Sequence, residues 1–364
     1  MLNYVDLMIA SFIALISTFF LTFPIKKIAI KFQIVDFPNQ RKIHIKPTPL
    51  MGGLAIFLGA ALGLLYLQPV HEHLFEIVLG AIVIIITGIL DDKFDIRPII
   101  KLSGQLIAAS FLISSGLIIE RITIPFFGLV ELGVFSVLIT VLWVVGITNA
   151  INLIDGLDGL ATGVSTIALL SMFVMAIIDS QVIAAYLAIV LIGANLGFLY
   201  HNFYPAKIYM GDTGSNFLGY MVAVISMLGL FKNIALFSFI IPIIILAVPI
   251  FDTLFAIIRR ILNKQKIMKP DNKHIHYQLL RVGFTHRQSV LIMYGFSSLF
   301  GILAILFSEA PFIVSFFATL IVIVLIHILA EIAGLVKGGK RPVVDGVLRL
   351  FKWKKTNRMK EQNE

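Results

Sequence analysis

What most restricts the folding of this chain is a succession of apolar runs, each about as long as a bilayer is thick. Eleven such segments follow one another, near 5–25, 50–68, 74–90, 98–119, 132–150, 160–178, 181–200, 212–230, 234–257, 289–308 and 310–330. A membrane-crossing helix needs roughly 20 mainly apolar residues. The runs are continuous rather than alternating, which argues against a membrane barrel, the other way to satisfy backbone groups in lipid. With 59% hydrophobic and 13% charged residues, a soluble core could not hide this much apolar side chain. The expected architecture is an all-α polytopic integral membrane protein with about eleven transmembrane helices. Pro242 and Pro249 lie on roughly one face of the ninth span and predict that it is kinked or broken.

Charge sets the orientation. With the N-terminus outside, the loops 26–49, 91–97, 149–159, 201–211 and 258–288 and the segment 331–364 share one face. All of the 29 Lys and Arg residues except Arg121 and Lys232 belong to it. The positive-inside rule makes that face, and the C-terminus, cytoplasmic. Residues 1–335 read as a single transmembrane domain, and 336–364 as a basic tail suited to an anionic lipid surface. The first run has no basic stretch ahead of it and reads as a retained span rather than a signal peptide. A net charge of +9 reflects this membrane topology, so nucleic acid is not expected as a partner. The absence of cysteine excludes disulfides, thiolate metal sites and cysteine nucleophiles.

Against this background the acids are conspicuous. GILDDKFDIRP follows the third span, NLIDGLDG joins the fifth to the sixth, and YMGDTGSNFLGY opens the eighth. Three junctions thus bring Asp91, Asp92, Asp155, Asp158 and Asp212 to one membrane surface. A hard divalent cation takes oxygen ligands, commonly one or two carboxylates completed by water and substrate phosphates. Each cluster taken alone also reads as a solvated turn or a helix cap. The glycines of GDTGS additionally let backbone N–H groups approach a phosphate at a helix start.

The last internal loop, RRILNKQKIMKPDNKHIHYQLLRVGFTHRQ, is strongly basic. Such a loop suits a diphosphate, with Arg260, His274 and His276 as candidate contacts, although positive-inside topology accounts for most of its lysines and arginines. The H-x-H pair lacks further ligands at zinc spacing and suits anion contact or proton handling. Asp252, two turns before Arg259, is expected to be structural, with Arg259 as its partner.

The set KPTPLMGG, LDDKFDI, NAINLIDGLDGLATG, HNFYPAKIYMGDTGS and DNKHIHYQLLRVGFTHRQ resembles the polyprenyl-phosphate N-acetylhexosamine-1-phosphate transferases, over nearly all of residues 20–300 and in order. It is most similar to the bacterial enzymes that start wall teichoic acid and related glycopolymers, and less so to the phospho-MurNAc-pentapeptide translocases, whose donor remains the alternative. The resemblance implies transfer of N-acetylglucosamine 1-phosphate from UDP-GlcNAc to undecaprenyl phosphate, with UMP leaving. It implies Mg2+, with Mn2+ as a substitute, at the cytoplasmic face of a bacterial cytoplasmic membrane, and it admits a homodimer. By motif, Asp212 and Asp91 are the implied metal ligands. Asp91 and Asp92 stand beside the lipid phosphate, while Asn152, Asp155 and Asp158 shape the phosphate–sugar site. Lys46, Asn202 and Tyr209 match nucleotide contacts, and His274 and His276 the diphosphate or sugar. Two positions depart from the family: Tyr277 stands where relatives carry a further histidine, and Asn216 where they carry an apolar residue.

Two other classes compete. Transporters also carry carboxylates and broken helices in the membrane, though their sites tend toward the midplane. A scaffold would explain the spans but not the acids.

Overall fold

The computed structural model describes residues 3–37, 47–124, 128–230, 240–265, 273–309 and 312–335. Helices stand at every position where the sequence places a span. They are α1 (Tyr4–Lys31), α2 (Gly52–Leu67), α3 (Leu74–Phe94), α4 (Pro98–Ser114), α5 (Phe135–Ile154), α6 (Leu160–Ile178), α7 (Val182–Asn202), α8 (Gly211–Leu230), α9 (Ile240–Ile245), α10 (Ala247–Leu262), α11 (Ile275–Val282), α12 (His286–Glu309) and α13 (Phe312–Ile332). Among the described residues, seven helices are long and apolar enough to cross a membrane by length and composition alone: α1, α3, α5, α6, α7, α12 and α13. The chain is an all-α, multi-pass membrane protein. Two small antiparallel ribbons depart from the purely helical expectation. β1 (Val35–Asp36) pairs with β2 (Thr48–Pro49), and β3 (Arg121–Ile124) with β4 (Gly128–Glu131). The fourth helix also ends earlier than its apolar run, since the chain turns at Gly116 with φ +83°.

The ninth span breaks as the prolines predict. α9 ends at Ile245, Leu246 takes a non-helical conformation, and α10 starts at Ala247. Pro249 then falls in the first turn of α10, where a missing N–H costs no intrahelical bond. Asp252 on α10 is not paired with Arg259. Its carboxylate accepts from His274 Nδ1 (2.8 Å) and from the backbone N–H of Ile275 (2.8 Å), whereas Arg259 donates to the Ala333 carbonyl (3.2 Å). A two-turn separation along one helix is too long for that pair, and the histidine loop supplies a nearer donor.

The centre of the bundle is α8. It packs against α2, α3, α5, α6 and α7, and its residues from Phe217 to Leu228 are buried on every side, as expected of a helix apolar all round. The other helices expose large apolar side chains outward, including Phe12, Phe20, Ile86, Leu142 and Ile323. Lipid is the medium such a surface requires. Close approach to α8 depends on missing side chains: a Cβ on Gly88 of α3 would overlap the backbone of Thr213. Replacement of Gly88 by valine should therefore prevent α3 from seating on α8. Overpacking of this kind costs about 1–3 kcal/mol or more, and the expected outcome is a lowered melting temperature and aggregated protein on detergent size-exclusion chromatography.

Candidate active site

One end of the bundle gathers the C-terminal ends of α3, α5 and α7 and the N-terminal ends of α2, α6 and α8 around a cavity of about 1030 Å3. Asp91, Asp92, Asp155, Asp158 and Asp212 all line it, with Asn152, Asn202 and Tyr209. The three acidic junctions therefore converge as their sequence placement predicts.

The carboxylates have distinct situations. Asp92 serves the start of α8: it accepts from the N–H groups of Asp212 (2.7 Å) and Thr213 (3.2 Å) and from the Thr213 hydroxyl (2.6 Å). A carboxylate from another helix thus caps the exposed donors and complements the helix dipole. Both Asp92 oxygens are engaged there, so its geometry is that of a support rather than a free acid beside a phosphate. Asp91, one residue earlier, faces Asp212. Lys101 of α4 bridges the two, touching Asp91 Oδ2 and lying 2.7 Å from Asp212 Oδ2. Asn152 completes this corner, donating to Asp212 Oδ1 (3.1 Å) and to the Ser215 hydroxyl (2.8 Å).

Asp155 caps the end of α5. Its burial, followed by the charges of Asp212, Asp92 and Asp158, pushes its carboxyl well above the usual range. Asp158 accepts the N–H of Ala206 (2.8 Å), tying the loop between α5 and α6 to the loop before α8. Asn202 is spanned by Thr162, whose hydroxyl donates to it (2.8 Å), and by the Ile208 carbonyl, to which it donates (3.1 Å). Tyr209 keeps its phenol protonated, pushed up to about 12 mainly by burial and then by Asp158. Its backbone is fixed by Pro49 and Gly52: its N–H donates to the Pro49 carbonyl (2.8 Å), and its carbonyl accepts from Gly52 (3.0 Å).

The histidine loop is placed differently from the sequence expectation. His274 and His276 do not line the cavity; Tyr277 and His286 do. His274 is bound to Asp252, and the two histidine rings lie parallel with centroids 5.8 Å apart. His276 is fully buried and presses on Gly156, where a Cβ would overlap its ring. This pair thus supports the NLIDGLDG turn from behind. Arg260 is buried on α10 and is likewise absent from the cavity wall. Lys46 lies outside the described residues, as does the tail 336–364.

Sequence reasoning missed Lys101 as a site residue because its basic character was absorbed into the positive-inside count. Its position in the first turn of a helix beginning at Pro98, next to a chain full of acids, was the available signal. The supporting Thr213 and Ser215 were visible only as part of GDTGS.

Comparison with known proteins agrees with this assembly. Residues 74–230 match glycosyl transferase family 4. The chain is 47% identical, over 96% of its length and 98% of the relative's, to a probable undecaprenyl-phosphate N-acetylglucosaminyl 1-phosphate transferase of Bacillus subtilis. The chain belongs to glycosyl transferase family 4. A decaprenyl-phosphate N-acetylglucosaminephosphotransferase of Mycolicibacterium smegmatis is 33% identical over 79% of each chain. An undecaprenyl-phosphate alpha-N-acetylglucosaminyl 1-phosphate transferase of Yersinia pestis is 30% identical, covering 83% of this transferase and 84% of its own length.

Two outcomes follow from the geometry of this transferase. Asp92→Ala should uncap α8 and lower stability by about 1–2 kcal/mol, read as a fall in melting temperature. Burial holds His276 down at about 4, against 6.5 for a free imidazole. Between those values the unfolded chain binds more protons, so this histidine lowers stability as pH falls from about 6.5 toward 4. The melting temperature should drop across that window, and His276→Asn should flatten the drop.

Proposed function

We propose that this transferase moves N-acetylglucosamine 1-phosphate from UDP-GlcNAc to undecaprenyl phosphate, the first step of wall teichoic acid or related envelope glycopolymer synthesis. The observation that carries this is the meeting of Asp91, Asp155, Asp158 and Asp212 with Lys101 in one cavity at the end of a membrane bundle. A lipid phosphate held at a membrane surface and a water-soluble nucleotide sugar can meet only at such an interface. The basic loops on this side support the cytoplasmic face of a bacterial cytoplasmic membrane as its location. The relatives' names supply the acceptor, undecaprenyl phosphate, and the transferred group, and the reaction implies a nucleotide-sugar donor.

In the reaction an oxygen of the lipid phosphate attacks the sugar-linked phosphorus of the donor. The bond from that phosphorus to the bridging oxygen breaks, UMP leaves with the bridging oxygen, and a lipid-linked sugar diphosphate remains. Both reactants are anionic, so bringing them together requires positive charge and alignment more than unusual side-chain chemistry. Among the described residues no group of three or more acidic or histidine side chains forms a complete metal cage. Asp91 and Asp212, facing each other across one cationic point, instead match the one or two carboxylates with which magnesium is commonly held beside substrate phosphates. Bound there, Mg2+ (or Mn2+) would neutralise phosphate charge and act as a Lewis acid. Lys101 supplies a second positive charge and is positioned to follow the phosphate oxygens. Asn152 orients Asp212, and Asp155 and Asp158 border the sugar and nucleotide side with Asn202 and Tyr209.

The test is UMP release from UDP-GlcNAc by purified protein given undecaprenyl phosphate. Release should require a divalent cation and cease with EDTA. Asp212→Asn and Lys101→Met should each lower turnover by about 100-fold or more, the scale on which loss of one preorganised charge acts. Absence of release by the native protein, with Mg2+ and both substrates present, would replace this reading with transport.

A further inference from the structure

One to two turns deeper along α3 than the carboxylate of Asp91 lies a second void of about 10 Å3, whose polar lining comes from Thr87, Asp91, Lys101, Gln105 and Asn216. Its size is that of a single water. Asp91 Oδ2 is held by Lys101, but Asp91 Oδ1 is buried and has no partner among the described residues, and the side chain as a whole is only 6% exposed. A buried carboxylate oxygen left without a donor is costly.

Three amides from three helices run past this void with one polarity. Asn149 Nδ2 of α5 donates to Gln105 Oε1 of α4 (2.7 Å) and to the Val145 carbonyl (2.8 Å). Gln105 Nε2 donates to Asn216 Oδ1 of α8 (3.2 Å), and Asn216 Nδ2 donates to the backbone carbonyl of Asp212 (2.8 Å). The chain of amides therefore ends on the residue that faces Asp91. An amide nitrogen carries two hydrogens, so Gln105 retains one N–H beyond its bond to Asn216. A water in the void would accept that hydrogen and donate to Asp91 Oδ1 and to Thr87 or Asn216, giving the three bonds usual for buried water. Water rather than a metal ion suits this void, which offers a single carboxylate among amides and the Lys101 ammonium.

We propose that the Gln105–Asn216 pair, with one water bound in this void, positions the two metal-facing carboxylates. Asn216 tethers the turn of α8 that carries Asp212, and the water fixes the free oxygen of Asp91. This gives a role to the amide at position 216, in a helix that is mostly apolar below its first turn. The proposal rests on the reading of Asp91 and Asp212 as the metal-holding acids. Gln105 and Asn216 are positioning residues that touch no substrate.

Asn216→Leu, Gln105→Leu and the double variant, purified in nanodiscs, test it through kcat, donor KM and direct Mn2+ titration followed by electron paramagnetic resonance. Small displacements of reacting groups are expensive. Each single change should lower kcat about tenfold and weaken Mn2+ binding about fivefold, with donor KM within about twofold of native. Because the two residues act as one unit, the double variant should be no worse than the poorer single. If Asn216→Leu does not fold, Asn216→Ser removes the amide, keeps the space and gives the same readouts. Native kcat and native Mn2+ affinity in the single variants, or losses that multiply in the double, would overturn the proposal. A native protein that releases no UMP would remove the transfer reading instead, and the Mn2+ titrations would still decide the positioning role.

Discussion

The first turn of α8 begins inside the protein, at the point where most of the acids converge, and a helix that starts there must have its unpaired N–H groups satisfied. Asp92 does this from α3 with three hydrogen bonds. Much of the rest follows from it. Once Asp92 is docked on α8, the neighbouring Asp91 is carried round the helix toward Lys101 and Asp212. The same docking presents Asp212 to Asn152 of α5. A helix-capping requirement and the assembly of the acidic cavity are therefore met by adjacent residues of one motif, which is a physical reason for the acids to come as a pair. The absent side chain of Gly88, one turn before Asp92, is what lets the two helices approach.

The cavity is unusually rich in negative charge. Asp36, Asp91, Asp92, Asp95, Asp155, Asp158 and Asp212 line it, with Lys93 and Lys101 as the lysines among them. Carboxylates so close together repel, and burial amplifies the penalty, which is why Asp155 is pushed toward its neutral form. An arrangement of this sort is poor as a rigid structural core and well suited to receiving positive charge with its ligand. Its position at one end of the bundle, rather than midway along the spans, separates it from the usual geometry of a transporter.

The architecture was largely legible because lipid imposes strict rules. Long apolar runs in water-free surroundings have little choice but to become helices, and proline has few tolerated places within them, so even the break at Leu246 was foreseeable from Pro242 and Pro249. The convergence of the aspartates was legible as well, because each lay at a junction on the same side of the alternating spans. Lateral packing was less so. Lys101 looked like one more positive-inside charge until α4 was set against α3 and α8, and His274 and His276 read as anion contacts, whereas the structure sets them behind the NLIDGLDG turn and off the cavity wall. The bond expected between Asp252 and Arg259 failed for a similar reason: proximity along a helix was outweighed by a donor from a different segment.

By itself, then, the order of residues determined a multi-pass helical membrane protein, the family to which it belongs, and the end of the bundle where its acids would lie. These follow from local hydrophobicity, from charge bias and from motifs that can be read along one dimension. Only the tertiary structure decided which carboxylates face the shared point, which one caps a helix, and which basic side chain stands between them. Those roles depend on the rotation of each helix about its own axis and on contacts a hundred residues apart, such as Lys101 with Asp212. Packing sets such rotations, and no periodicity in the chain records them.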